Sequence, residues 1–300
     1  MQLKLSLLLT GCAMSFMAFA QDVDLDKIAQ EEQQKETQNK INYTEGTFHT
    51  TRLINGHSIE NLGAGILDMK ISHRFGQLNG GFYQLFGLDN ASMRWGLDYG
   101  ITPRLMVGLG RSTYQKQYDA FFKYKILRQS EGEHAMPLSL SVMSSIMLNS
   151  LKWEDPNRKN YFTSRLYYAF QILAARKFSE GTSLQIMPTM IHYNLVRNAT
   201  DKNDLFALGI GGRQRITKRV SINAEYYYQL PGYKMAGTSN SFSLGFDIET
   251  GGHVFQLHFT NSPGMTERTF VSETFGTWPQ GDILFGFNIS RLFSIKKNKQ

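Results

Sequence analysis

Cysteine is almost missing from this chain: its 300 residues include one, Cys12. A disulfide framework and a cysteine-ligated metal site are thereby excluded. Beyond residue 20 no apolar run approaches the ~18 to 20 residues that a membrane-crossing helix needs, so a helical membrane protein is excluded as well. Charged residues are also sparse, at 19%, against a usual ~25%. The net charge of +7 comes from 32 basic and 25 acidic residues scattered along the chain, which permits an anionic ligand or surface but forms no nucleic-acid stripe. Neither a G-x-S-x-G elbow nor a phosphate-binding P-loop occurs. Aromatics, by contrast, are abundant: 13% of residues, with 21 Phe and 14 Tyr, a composition foreign to broadly disordered chains. The length allows one large domain or two ordinary ones and suffices to enclose an interior.

The start of the chain reads as an export signal. Met1 to Ala20 has a basic start at Lys4, an apolar stretch from Leu5 to Phe19 and an A-x-A cleavage site at Ala18-Phe19-Ala20. The competing reading takes Leu9-Thr10-Gly11-Cys12 as a lipoprotein box with Cys12 lipidated, but Ala13 to Ala20 stay apolar where a lipoprotein turns polar. Cleavage after Ala20 removes the one cysteine and Lys4, leaving a mature charge of +6. Residues 21–46 are polar, with Glu31-Glu32-Gln33-Gln34-Lys35 at their centre, and read as a periplasmic linker or a marginal helix. Asp22, Asp24 and Asp26 resemble part of a calcium loop but lack its glycine and its terminal glutamate. Residues 47–300 form the remaining domain, beginning with an irregular stretch from Thr47 to Leu62.

From Gly65 onward the hydrophobic period is two. Leu67, Met69, Ile71, His73 and Phe75 share one parity while Asp68, Lys70, Ser72 and Arg74 share the other, and Ala91 to Ile101 repeats the pattern. The alternation recurs over 105–112, 120–128, 138–149, 165–175, 184–194, 205–215, 220–230, 242–249, 253–261 and 283–293, making about twelve strands. Many run to about 10 residues, the length that crosses a bilayer at a tilt, where soluble strands average ~5 to 6. Connections alternate as well. Thr102-Pro103-Arg104, Glu180 to Ser183, Thr217-Lys218-Arg219 and Gly251-Gly252 are short, whereas 76–90, 154–163, 196–204, 232–240 and 262–281 are long; the exceptions are the brief connection near Tyr114 to Asp119 and the middling one from Glu131 to Pro137. An up-and-down barrel of the outer membrane has this asymmetry of periplasmic turns and external loops. A soluble barrel shows the same period with its apolar face inward; the signal, strand length, loop parity and aromatic strand ends favour the membrane. The fold expected is therefore all-β, a transmembrane antiparallel up-and-down barrel with a short N-terminal periplasmic segment.

The runs Leu67-Asp68-Met69-Lys70-Ile71-Ser72-His73-Arg74-Phe75-Gly76, Gly96-Leu97-Asp98-Tyr99-Gly100-Ile101 and Gly245-Phe246-Asp247-Ile248-Glu249-Thr250-Gly251-Gly252-His253-Val254-Phe255 resemble an uncharacterised family of membrane-bound β-barrel proteins found in Bacteroidota. The resemblance covers nearly the whole chain from about Thr47. It implies an outer-membrane barrel and brings no substrate, activity or catalytic residue.

Function is read from the polar parity. The residues expected to face the lumen are Asp68, Lys70, Arg74, Arg94, Asp98, Arg213, Glu225, Asp247, Glu249 and His258. They form either an ion-pair network satisfying one another away from lipid or a mixed-sign constriction that orients a small polar solute. Asp247, Glu249, His253 and His258 surround one tight turn, but without cysteine or close histidine spacing no metal or cofactor is expected. His73 and His192 fall on the apolar parity near external strand ends, the place a lipid hydrolase would use, yet neither has an obvious serine partner on its face. The leading expectation is a channel or binding protein for small polar solutes, with 47–62 folded into the mouth or lumen. The alternatives are an accessory barrel docking a periplasmic partner through 21–46, and a lipid hydrolase. Expected surroundings are outer-membrane lipid and lipopolysaccharide, with no nucleic acid.

Overall fold

A computed structural model describes residues 41–132, 135–250 and 253–295. The signal segment with Cys12, most of the polar linker, the Gly251-Gly252 turn and the basic tail at Lys296-Lys297 lie outside them. Twelve long strands form one closed antiparallel barrel: β1 (Ile66–Gln77), β2 (Ala91–Gly100), β3 (Leu105–Ser112), β4 (Tyr118–Leu127), β5 (Ser139–Leu148), β6 (Leu166–Lys177), β7 (Thr182–Tyr193), β8 (Asp204–Arg215), β9 (Val220–Gln229), β10 (Ser241–Thr250), β11 (His253–Thr260) and β12 (Leu284–Ser294). Each pairs with its sequence neighbours, and β12 closes on β1 with Ile289 opposite Ile71 and Leu292 opposite Asp68. Closure leaves no free edge, so every strand backbone is satisfied without water, the condition for crossing hydrocarbon.

The faces are the inverse of a soluble barrel. Outward side chains include Leu109, 65% exposed, and Trp95, 55% exposed, with Phe122, Phe170, Ile186, Ile210 and Phe246 around the same belt. Inward side chains include Asp98, Lys123 and Ser221, all 0% exposed. Apolar surface on that scale facing out over ten-residue strands is stable only against lipid. Period-two alternation leaves this choice open; the closed register decides it.

Two segments occupy the interior. Thr47–Ile59 is buried except for His49, which is partly so, and threads into the lumen as a tight reversal, with Arg52 bridged to His57. We refer to 47–62 as the plug. The connection from β11 to β12 also turns inward: Met265 to Thr274 is buried and carries a single π-helical turn, Arg268–Ser272. An external excursion was expected there, because parity describes strands and is silent about where a loop goes. Apolar residues of the plug (Phe48, Leu53, Ile59), of the inner wall (Met147, Leu173, Met187, Tyr227) and of the loop (Phe270, Val271) make one continuous core. The lumen is packed rather than open. The domain boundary also shifts: Asn42–Tyr43 pairs with Ser130–Glu131, so Ile41 to Gly46, assigned above to the linker, is fastened to the barrel's rim.

Candidate functional site

The plug tip is built around one carboxylate. Leu53 to Gly56 turns so that three successive backbone N–H groups, of Ile54, Asn55 and Gly56, donate to Glu225 at 3.2, 2.8 and 3.1 Å. Successive amides converging on an anion form a nest, and β9 supplies that anion from the wall. Glycine is required at the last position, because a Cβ on Gly56 would stand 2.0 Å from the Tyr227 hydroxyl. The neighbouring strands complete the cradle. Gln256 donates to the Leu53 carbonyl at 2.8 Å, Asn288 to that of Ile54 at 2.9 Å and Gln185 to that of His57 at 2.8 Å. Arg74 donates to the Asn55 side-chain oxygen at 2.7 Å, while the Asn55 amide donates to Ser243 at 2.9 Å.

A second group of wall residues carries charge. Lys70 lies 2.6 Å from both Asp68 and Asp98 and donates to Thr51 of the plug at 2.5 Å. Arg94 pairs with Asp119 on β4 rather than with Asp98. Lys123 pairs with no carboxylate among the described residues and donates to the plug carbonyls of Ser58, at 2.9 Å, and Glu60, at 2.5 Å. Buried cations unpaired with acids are costly; here backbone carbonyls of the inserted segment take that place. The wall is complementary to the plug, donor to carbonyl and carboxylate to amide.

Plug and loop meet at mid-lumen. Arg52 reaches Glu267 at 3.2 Å, and the other Glu267 oxygen accepts from Ser145 on β5 at 3.2 Å. His57 stands 3.5 Å from Glu267 and edge-on to Phe121, with ring centroids 4.4 Å apart. Burial, then the nearby charges of Arg52, Lys123, Lys70 and Arg94, hold the His57 imidazole well below its ordinary basicity, so it is neutral at neutral pH. The loop is fixed by Arg268, which forks onto Glu273 at 2.8 Å and stacks over Tyr167 at 3.8 Å. Sequence reasoning missed Arg52, His57, Glu267 and Arg268, since irregular segments carry no periodicity. The Asn55-Gly56 pair was the one readable signal of a tight reversal there.

The remaining expected residues are distributed as follows. Asp247 accepts from Gln256 at 2.9 Å, whereas His258 is buried beside Gly286 with neither ring nitrogen hydrogen-bonded among the described residues. Glu249 is an exception to the expected burial: its side chain is 52% exposed at the strand end, 3.3 Å from His49 Nδ1. The other ring nitrogen, Nε2, lies 3.0 Å from Ser221 Oγ. This is the connectivity of a serine, histidine, acid relay. Ser221, however, is 0% exposed on the inner wall, so no ester reaches its hydroxyl, and the group acts as a latch between plug and β9. Burial and Arg213 lower the His49 basicity, against the opposing pull of Glu249. On the outer face, His73 stacks on Phe287 at 5.0 Å and His192 lies 2.6 Å from Asp204; among the described residues neither is hydrogen-bonded to a serine.

The family model for a membrane bound beta barrel domain (DUF5777) matches residues 48–293, from the first buried turn of the plug to the end of the last strand. The chain belongs to this family. Curated proteins give no match. Among solved structures, the NanC porin is 9% identical, with a TM-score of 0.45, covering 77% of this chain and all of its own. An outer membrane channel of Pseudomonas putida is 12% identical at a TM-score of 0.44, covering 78% of this chain and 98% of its own. The Acinetobacter baumannii outer membrane protein Omp33 is 8% identical at 0.40, covering 76% and 97%.

Proposed function

We propose that the protein is a gated outer-membrane barrel for small polar solutes, exported by cleavage after Ala20 and seated among outer-membrane lipid and lipopolysaccharide, with the state described being its closed one. The observation that carries this reading is the plug: Lys123, Glu225 and Gln256 of the wall hydrogen-bond an inserted segment through its backbone groups, and Lys70 and Arg74 through the side chains of Thr51 and Asn55. A wall built to hydrogen-bond a polypeptide backbone presents the same donors and acceptors to a solute once that segment leaves.

The tether at Asn42–Tyr43 joins the plug to the segment that precedes it. A periplasmic partner gripping residues 21–40 would have to break the pairing of Asn42–Tyr43 with Ser130–Glu131 before it pulled on the plug, which makes the accessory reading a description of how the gate is worked. The lipid-hydrolase reading lacks support, because the His49 and Ser221 pair faces the packed lumen. Planar-bilayer recording tests the proposal: the full chain stays largely closed, and a chain lacking 47–62 conducts ions. A plug-deleted barrel that folds and remains sealed would overturn it.

A further inference from the structure

The barrel wall is interrupted at one place on its external rim. Between β12 and β1 the register shifts, so that Phe75 and Gly76 together oppose Phe285, a β-bulge at the seam. Gly76 leaves no side chain there, and Gly87 of the following loop packs over it, its carbonyl 3.0 Å from where a Cβ would stand. A pocket of 340 Å³ opens beside the bulge, walled by Phe75, Ala91, Pro263, Phe275 and Leu284. Three side-chain amides also line it, of Gln77, Asn90 and Asn261; Asn261 donates to the carbonyls of Asn240 and Gly276 at 2.9 and 2.8 Å, whereas neither Gln77 nor Asn90 is hydrogen-bonded through its side chain among the described residues.

The loop above this pocket is unusually apolar for an external one. Phe82, Tyr83, Leu85 and Phe86 are 81%, 94%, 46% and 53% exposed. Leu85 and Phe86 hold left-handed backbone, with φ of 44° and 52°, a conformation that side chains larger than glycine's disfavour. The loop is nonetheless fixed, through Leu78 to the Ile283 carbonyl at 2.8 Å and Asn79 to Asp282 at 2.9 Å. Apolar side chains held out at the rim of a lipid-facing belt lie where hydrocarbon gives way to head groups, as aromatic girdles do.

We propose that this rim pocket is a binding site for a small amphiphile, one aromatic ring or short acyl chain bearing a single hydrogen-bonding head. Its apolar walls take the ring or chain, and the Gln77 and Asn90 amides take the head; a volume near 300 Å³ is the lower end of small-molecule sites. The pocket lies beside the inserted loop, whose flanking residues Pro263 and Phe275 line it, and includes none of the plug residues of the gate proposed above. The pocket lies across the wall's end, between Phe75 of the lipid-facing row and Leu284, which points inward.

The test uses the full chain in amphipol with N-phenyl-1-naphthylamine as probe. Wild type shows a saturable, single-site rise in fluorescence. Ala91→Trp, which fills the pocket from an exposed position, weakens binding by about tenfold or more, and the Gln77→Ala, Asn90→Ala pair weakens it about fivefold through loss of a neutral hydrogen bond. Leu109→Trp, on the outer face of β3, leaves it unchanged. Variants are compared only where the heat-shifted gel band shows a folded barrel. Unsaturable partitioning that is equal in wild type and Ala91→Trp overturns the proposal.

Discussion

Removing the Glu225 carboxylate should open the gate. Its two oxygens accept from the backbone of Ile54, Asn55 and Gly56 at 2.8 to 3.2 Å, and the side chain is 1% exposed. A hydrogen bond to a charged acceptor contributes about 1.5 to 3 kcal/mol net. Three bonds sharing one acceptor are not additive, and amides of a withdrawn plug recover water, so Glu225→Ala should weaken the seated state by about 3 kcal/mol. That is a factor of about 100 in the balance between seated and withdrawn plug. Glu225→Gln keeps one oxygen but turns an amide toward donors, and should cost about half as much. The assay is single-channel recording at neutral pH in moderate salt, with heat-shifted gel mobility confirming that each barrel is folded. Open probability should rise about 100-fold in Glu225→Ala and by about tenfold in Glu225→Gln. A folded Glu225→Ala barrel with wild-type open probability would refute the reasoning, since the nest would then have no part in holding the plug.

Other expectations follow from the same geometry. Gly56→Ala should loosen the plug as Glu225→Ala does, because its Cβ meets the Tyr227 hydroxyl at 2.0 Å; Tyr227→Phe removes that atom and should restore closure in the double variant, read in the same recordings. Acid should also favour opening. Seated His57 has lowered basicity, so between the ordinary value of 6.5 and its own lower one the withdrawn plug binds the extra proton; the seal is full above pH 6.5 and weakens progressively as the pH falls below it. His57→Phe, which keeps the contact with Phe121, should flatten that pH profile, and an equally steep profile would assign the effect elsewhere. Leu109→Arg, on the outward face, should hinder folding into lipid vesicles by about 2 to 4 kcal/mol near mid-membrane, as read by denaturant titration. An unperturbed titration would mean that this face does not meet lipid.

The order of twelve strands was legible because each carries its own signal: a period of two over about ten residues needs nothing but neighbours along the chain. Strand β9 shows it, with Ile222, Ala224 and Tyr226 on one parity and Ser221, Asn223 and Glu225 on the other. Which residues met was less legible. Arg94 pairs with Asp119 two strands along and not with Asp98, and Glu249 ends at an exposed rim because the strand terminates there. Plug and loop were harder still, since burial of Thr47–Ile59 follows from a wall assembled out of residues up to 234 positions away.

By itself, then, the sequence determined strand positions, their number and the two chemically distinct faces, all consequences of local alternation. Only the tertiary structure decided that the lumen is filled, and that Glu225 spends its charge on three amides of a distant turn. Closure of β12 on β1 fixes inside and outside at once, and an enclosed polar wall must find partners; the plug supplies them through backbone groups, which every residue has and no side-chain pattern announces.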